Sequence, residues 1–184
     1  MTVLDEVASS DLLVFAIDDR RYGLPTDEIV ELSRAVAIYS RPQGEKVHLL
    51  EGVVNLHGEL AAAINLRSRF GHPPKRLTPS EHFIFARAAG QLVALRADRI
   101  LEIISTPREA LDLIPRSGRQ RSEKSEESAN SAAAAETVES FAGVCKLPQG
   151  LVFIFDLQNF LSRSESRSIQ DFITRAAHVA GDKP

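Results

Sequence analysis

Apolar and polar residues alternate in short blocks along most of the chain, at the spacing of strands joined by tight turns. Leu12-Leu-Val-Phe-Ala-Ile17 is a strand-length apolar run, Asp18-Asp-Arg-Arg21 a polar turn and Tyr22-Gly-Leu24 its return, which predicts a first hairpin. Pro25 and Thr26 interrupt it. Asp27-Glu-Ile-Val-Glu-Leu32 fits a short helical turn or a strand, with Ile29 and either Val30 or Leu32 available for a core face. Pro42, Gln43 and Gly44 mark a loop. Gly52-Val-Val-Asn-Leu56 and Leu60-Ala-Ala-Ala-Ile-Asn-Leu66 then flank His57-Gly58-Glu59, where a glycine free to take positive φ lets the chain fold back with His57 and Glu59 on the tip. Ser68-Arg-Phe-Gly71 and His72-Pro-Pro74 end this half.

The second half repeats the first. His82-Phe-Ile-Phe-Ala86, a turn at Ala88-Ala-Gly90 and Leu92-Val-Ala-Leu95 form another hairpin. Leu24 matches Leu95, Asp27 matches Asp98, Ile29 matches Ile100 and Glu31 matches Glu102, all at an offset of 71. Gly52-Val53 matches Gly143-Val144, and Ala63-Ile-Asn-Leu66 matches Ile154-Phe-Asp-Leu157, at an offset of 91. The second half therefore carries an insertion, and the Ser-, Glu- and Ala-rich stretch 116–140 is its place. With almost no large apolar side chain, that stretch reads as a disordered loop, the alternative being a short helix over Ser131 to Val138.

From Ser162 the period changes. Ile169, Phe172, Ile173, Ala176, Ala177 and Ala180 share one helical face, and Ser168 with Asp171 offers an N-terminal cap. This C-terminal helix either covers a barrel, the reading we favour, or docks a partner. The whole predicts a mainly β protein with a flexible leader (1–11), a first small barrel over about 12–75, a second over about 80–161, and a helix and tail over 162–184. A groove at the barrel junction would suit a ligand or peptide.

Composition narrows the function. The chain has 184 residues, 43% of them hydrophobic, enough for a packed core; 22 basic against 25 acidic residues give no broad attraction to nucleic acid or anionic lipid. Cys145 is the only cysteine, so no disulfide framework or thiol pair exists and a reducing cytoplasm is expected. No apolar run approaches a membrane span, and neither export nor insertion is expected. His48, His57, His72, His82 and His178 include no pair at metal-ligand spacing, and no phosphate loop, nucleophile elbow or zinc-protease motif occurs. Neither an enzyme nor a cofactor is expected; His57 is better read as a surface contact or solvated turn than as a base. Arg116, Arg119 and Arg121 are followed by Glu123, Glu126 and Glu127 and read as a solvated loop. The competing class is a small barrel binding single-stranded nucleic acid or an unrelated peptide. Two tyrosines, no tryptophan and a net charge of −3 weigh against the nucleic acid.

Leu13-Val-Phe15, Tyr22-Gly-Leu24, Ile29-Val-Glu-Leu32, Gly52-Val-Val-Asn-Leu-His-Gly58 and Ile64-Asn-Leu-Arg67 together resemble, in order and spacing, the CheW-like domain of bacterial chemotaxis adaptors, over about Leu12 to Leu161. The resemblance implies two SH3-like five-stranded β-barrels related by pseudo-symmetry. It implies a free-standing, non-enzymatic adaptor that couples methyl-accepting chemoreceptor tips to a CheA-type histidine kinase, contacting the kinase regulatory domain barrel to barrel and a receptor helix hairpin in the groove. Such a protein is cytoplasmic and recruited to membrane receptor arrays. By position, the resemblance assigns partner contact to Ile29, Glu31, His57 and Gly58 in the first half, and to Ala94 and Ile100 in the second. For Ile29 and Ile100 core packing is an equal alternative, whereas Glu31, charged within an apolar strand, must be exposed or paired. Two departures stand out: His57 replaces the arginine of the family's Asn-Leu-Arg-Gly turn, and Ala61-Ala-Ala63 with Asn65 replaces much of Val-Pro-Ile-Ile-Asp-Leu-Arg. The first exchanges a permanent forked cation for an imidazole, and the second implies altered packing or a wider groove.

Overall fold

Tight turns set the ladder of strands. In the computed structural model, which describes residues 11–40, 48–105, 111–113 and 141–181, Asp18, His57 and Ala89 take positive φ values of 53°, 50° and 49°. Each opens a two-residue hairpin turn: β1 (Asp11–Ile17) to β2 (Arg20–Pro25), β5 (Leu50–Leu56) to β6 (Glu59–Ile64), and β7 (His82–Ala88) to β8 (Gln91–Ala97). A fourth hairpin joins β11 (Phe141–Leu147) to β12 (Gly150–Phe155), and β3 (Ile29–Arg34), β4 (Tyr39–Ser40), β9 (Arg99–Ser105) and β10 (Leu111–Leu113) complete the strands. Asp27-Glu28 resolves the early ambiguity both ways, since Thr26–Glu28 is a 3-10 turn and Ile29 begins a strand. The leader 1–10, the loop at Pro42 to Gly44, and the insertion 116–140 with its alternative helix lie outside the described residues.

Two six-stranded sheets result, ordered β3-β7-β8-β6-β5-β4 (sheet I) and β10-β11-β12-β2-β1-β9 (sheet II). Advancing each strand by six places maps one order onto the other, so the sequence repeat is a structural pseudo-symmetry. The SH3-like, mainly β class is observed: each sheet has five strands of six or seven residues, as expected, and one short edge strand, β4 or β10. The sheets do not follow the boundary placed at residues 75–80. The chain crosses between them twice, at Thr26–Glu28 and at Asp98, so sheet I is the contiguous stretch 29–97 while sheet II joins 11–25 to 99–155. The cause is the first hairpin of each half, which pairs into the other half's sheet: β2 lies parallel to β12 (Tyr22 opposite Phe153), and β8 parallel to β6 (Val93 opposite Ala62). Neither half contains a complete sheet.

The main core lies where the sheets meet. Leu13, Phe15, Tyr22 and Leu24 from sheet II join Ile64, Ile84, Val93 and Leu95 from sheet I. The interior between the sheets is thus packed with apolar side chains. Each sheet also keeps a cluster of its own, and the two clusters reach the same filling by opposite means. Sheet II uses Leu12 and Val14 with Val152 and Ile154, whereas sheet I places Phe83 and Phe85 at the equivalent positions over Ala61, Ala63 and Ala94. The alanines that suggested a wider groove are fully buried, their missing volume supplied by the two phenylalanines.

Two short helices follow the equivalent strands β6 and β12: α1 (Leu66–Arg69), capped by Asn65, and α2 (Leu157–Phe160), capped by Asp156. They meet near the pseudo-axis, where the Arg69 guanidinium stacks 5.0 Å from the centroid of Phe160, its own counterpart in the repeat. The C-terminal helix, α3 (Arg163–Gly181), begins earlier than expected. Its cap is Ser162 with Glu165: the Glu165 N–H donates to Ser162 Oγ at 3.2 Å and the Ser162 N–H to Glu165 Oε2 at 2.9 Å. Arg69 selects this box over Ser168 and Asp171 by donating to both Glu165 oxygens at 2.8 and 2.9 Å. Ile169 and Phe172 sit buried in the main core, so this face of α3 covers the fold.

Candidate functional site

Strand β3 has apolar side chains on both faces. Ile29 packs against the main core, while Val30 and Leu32 point outward, 50% and 41% exposed. Glu31 is half-exposed, and its partner comes from the central hairpin: His57 Nε2 lies 2.8 Å from Glu31 Oε2. A carboxylate only accepts, so the imidazole Nε2–H donates. In sheet order β7, β8 and β6 lie between β3 and β5, so this contact brings distant strands together and shows the sheet curling on itself. The tip is shaped locally. His57 and Gly58 both have positive φ, of 50° and 97°, and the Gly58 N–H donates to Asn55 Oδ1 at 2.8 Å.

The repeat presents a second face of the same design. On β9, Leu101 and Ile103 are 37% and 61% exposed, and Glu102 between them pairs with Arg21 at 3.8 Å. Both edge strands therefore carry an accessible glutamate between two exposed apolar side chains, one hydrogen-bonded by an imidazole and the other paired with a guanidinium. Such surface pairs add about 0–1 kcal/mol to stability, so neither glutamate is placed by a strong structural ion pair.

Of the six residues assigned to partner contact, Glu31, His57 and Gly58 lie together where β3 meets the hairpin tip, with Glu31 and His57 touching directly, whereas Ile29 packs partly against the main core. Ile100 lies on β9 but packs partly against the main core. Ala94 is a correction: it is 0% exposed, inside the cluster beneath Phe83 and Phe85, and presents no surface to a partner. Val30, Leu32, Leu101 and Ile103 were missed. Their signal was apolar residues at successive positions, broken only by one glutamate, in Ile29-Val-Glu-Leu32 and Ile100-Leu-Glu-Ile-Ile104, which leaves apolar side chains on the outer face once the inner one packs.

A buried polar network was missed as well. The Arg67 guanidinium, 3% exposed, donates to both Asp18 oxygens, to Asp98 Oδ2 at 2.9 Å and to the Pro73 carbonyl at 2.9 Å. His72 Nδ1 lies 3.0 Å from Asp18 Oδ2, and its Nε2 is 2.8 Å from the Tyr22 hydroxyl, whose pKa burial pushes up to about 12. Burial also draws the Asp98 carboxyl upward, but the Asp18 N–H, Arg67 and Lys75 outweigh it and hold it below the ordinary aspartate value. Arg96 pairs with Glu81 and Glu51 nearby. Every one of these groups is engaged in holding strands, turns and helix ends together. The Cys145 thiol is buried, and burial raises its pKa away from the reactive thiolate form. Among the described residues no group of three metal-ligating side chains occurs, and no helix is long and apolar enough to cross a membrane.

Residues 11–124 match the CheW-like domain family. Over 101 residues the chain is 27% identical to the chemotaxis protein CheW of Helicobacter pylori, a stretch covering 55% of this chain and 60% of that protein's length. The fold matches the crystal structure of the scaffolding protein TtCheW from Thermoanaerobacter tengcongensis with a TM-score of 0.63, at 21% identity over 82% of this chain and 90% of that one.

Proposed function

The chain belongs to the CheW-like domain family, and from that premise we propose that it is a non-enzymatic adaptor coupling methyl-accepting chemoreceptors to a CheA-type histidine kinase in a bacterial chemosensory pathway. The observation that carries the reading is the pair of equivalent edge strands on a two-sheet frame, each exposing two apolar side chains beside an accessible glutamate: Val30 and Leu32 with Glu31 on β3, Leu101 and Ile103 with Glu102 on β9. A coupling protein needs two accessible surfaces held at a fixed separation, and apolar side chains around a charged one supply both affinity and register. The β3 face with its His57 tip and the β9 face are those surfaces in this proposal, one for the kinase regulatory domain and one for the receptor tip. The adaptor works in the cytoplasm and reaches membrane arrays through its receptor contact.

The test is titration calorimetry of the purified chain against the kinase regulatory domain and a receptor tip fragment of its own organism. Ile103→Arg on the β9 face and Glu31→Ala on the β3 face should each weaken one partner by about tenfold or more, with circular dichroism unchanged. Ile103 serves better than Ile100, whose partial core packing would confound binding with folding. Absence of binding to every kinase and receptor of that genome would sink the proposal.

A further inference from the structure

A long apolar strand at the edge of a sheet is a template on which a further strand can pair. Each sheet ends on one side in a strand too short to serve, the two-residue β4 or the three-residue β10. The other two edges are long. β3 has six residues and β9 seven, rich in branched apolar side chains, and neither contains the proline or lysine that commonly blunts an edge. Among the described residues each pairs with one neighbour, β3 with β7 and β9 with β1.

Both strands carry a β-bulge at the same place in the repeat. Ile29 stands opposite Ala86 and Glu31 opposite Phe85, so Val30 is an extra residue; Ile100 stands opposite Phe15 and Glu102 opposite Val14, so Leu101 is the extra one. Val30 and Leu101 are related by the offset of 71, and so are the opposing Val14 and Phe85. The extra residue changes which way its neighbours point. Ile100 packs against the main core and Ile104 against the separate cluster of sheet II, although residues four apart in a regular strand share a face. A second equivalent pair of bulges, at Glu51 and Ala142, lies in β5 and β11, which are paired on both sides.

We infer that the bulges at Val30 and Leu101 block strand addition at the two long edges, so that β3 and β9 meet a partner through side chains, Val30 with Leu32 and Leu101 with Ile103, and fit a folded surface rather than an extended segment. An added strand needs outer N–H and C=O groups at regular spacing, and each bulge leaves only positions 31–34 or 102–105 in such a run. The same extra residue becomes part of the contact, since Val30 and Leu101 are both exposed. The edge property belongs to the free chain; its application to a kinase regulatory domain and a receptor tip rests on the adaptor reading.

Deleting Val30 or Leu101 restores a regular ladder while keeping every other pairing. Each deletion variant that is folded by circular dichroism should sediment as dimers or larger species at concentrations where the native chain is monomeric, with protection from hydrogen exchange appearing at every second amide of the altered strand. Adding Leu32→Lys to the first deletion or Ile103→Lys to the second should return it to monomer. The native chain tests the same point without a deletion: its β3 and β9 amides should show no alternating protection at high concentration, nor when the kinase regulatory domain or receptor tip fragment is bound. A folded deletion variant that stays monomeric, association that survives the added lysine, or alternating protection along β3 or β9 of the native chain would each overturn the inference. Failure of every kinase and receptor to bind would remove the adaptor reading and leave the self-association measurements to decide the edges.

Discussion

His57 at the tip of the β5–β6 hairpin meets Glu31 on β3 at 2.8 Å, joining two positions to which partner contact was assigned separately. His57 is 78% exposed, so solvent screens the pair and its contribution to stability is at most about 1 kcal/mol. His57→Asn removes the imidazole and leaves an Asn-Gly turn better suited to two positive φ values. The expected outcome is an unfolding free energy equal to or slightly above that of the native chain, with weaker partner binding. His57→Arg, restoring the family's residue, should bind partners several-fold more tightly through its permanent fork. Calorimetry and urea denaturation separate these effects. Unchanged affinity in both variants would reduce the tip to a turn.

Much of this arrangement is visible in local pattern. Each hairpin follows from an apolar run, a turn and a second run, and the offsets of 71 and 91 expose the pseudo-symmetry before any coordinates. What local pattern does not carry is which sheet a hairpin joins. Strand periodicity specifies the faces of β7 and β8, but their place beside β6 depends on Val93 and Ala94 pairing with Ala62 and Ala63, a parallel contact across some thirty residues. The alanine run misled for the same reason, because the volume that fills it sits on β7. The helix cap was ambiguous in sequence, where Ser162-x-x-Glu165 and Ser168-x-x-Asp171 are equally good boxes, and only Arg69 decides between them. Asp98 was recognisable as the repeat of Asp27, but its partner Arg67 was not.

Gly52 is required by close approach. A Cβ there would stand 2.1 Å from the Tyr39 carbonyl oxygen and 2.7 Å from Ile38 Cγ2, where Gly52 pairs with Ser40. The obstructing atom is backbone, so β4 must move away. Gly52→Ala should destabilise the fold by about 1–3 kcal/mol, the usual cost of overpacking, as measured by urea denaturation. A neutral Gly52→Ala would mean that the β4–β5 pairing contributes nothing.

Ala89 is strained where Gly52 is crowded. It has φ 49° with no side-chain polar group to compensate, beside Gly90 at φ 79°. Ala89→Asn creates the Asn-Gly pair that such hairpin turns favour and should stabilise by roughly 1 kcal/mol. For a chain of this size the melting temperature should rise by about 2–4 °C. No rise in a thermal melt would show that the strain is relieved elsewhere.

The opposite packing of the two sheets invites a double-mutant cycle. Phe83→Leu removes volume over the alanines and Ala61→Val adds it; alone, each should cost about 1–3 kcal/mol, the first through a void and the second through crowding. Together they copy Leu12 and Val152 of sheet II, and the double variant should be less destabilised than the sum of the two by at least about 1 kcal/mol. Strict additivity in denaturant melts would mean that the two clusters are not interchangeable solutions to one packing problem.

Asp98 ties the β8–β9 crossover to pH. Its carboxyl is held below the ordinary aspartate value in the folded protein, so its contribution is fully present above the unfolded aspartate pKa of about 3.9 and is lost as pH falls through the lower, folded value. The folded chain should therefore lose stability on the acid side of about pH 4, where protonation strips Arg67 of one of its two carboxylate partners. Asp98→Asn leaves the Arg67 cation buried with Asp18 as its remaining carboxylate, and should cost about 3 kcal/mol at neutral pH. Urea denaturation of both proteins at pH 7 and near pH 2.5 checks the assignment. The gap between native chain and variant should narrow progressively as pH falls below the unfolded aspartate pKa of about 3.9, because the contribution of the native carboxylate is lost over that range. A gap of constant size would place the acid sensitivity on another group and leave Asp98 with a role independent of its charge.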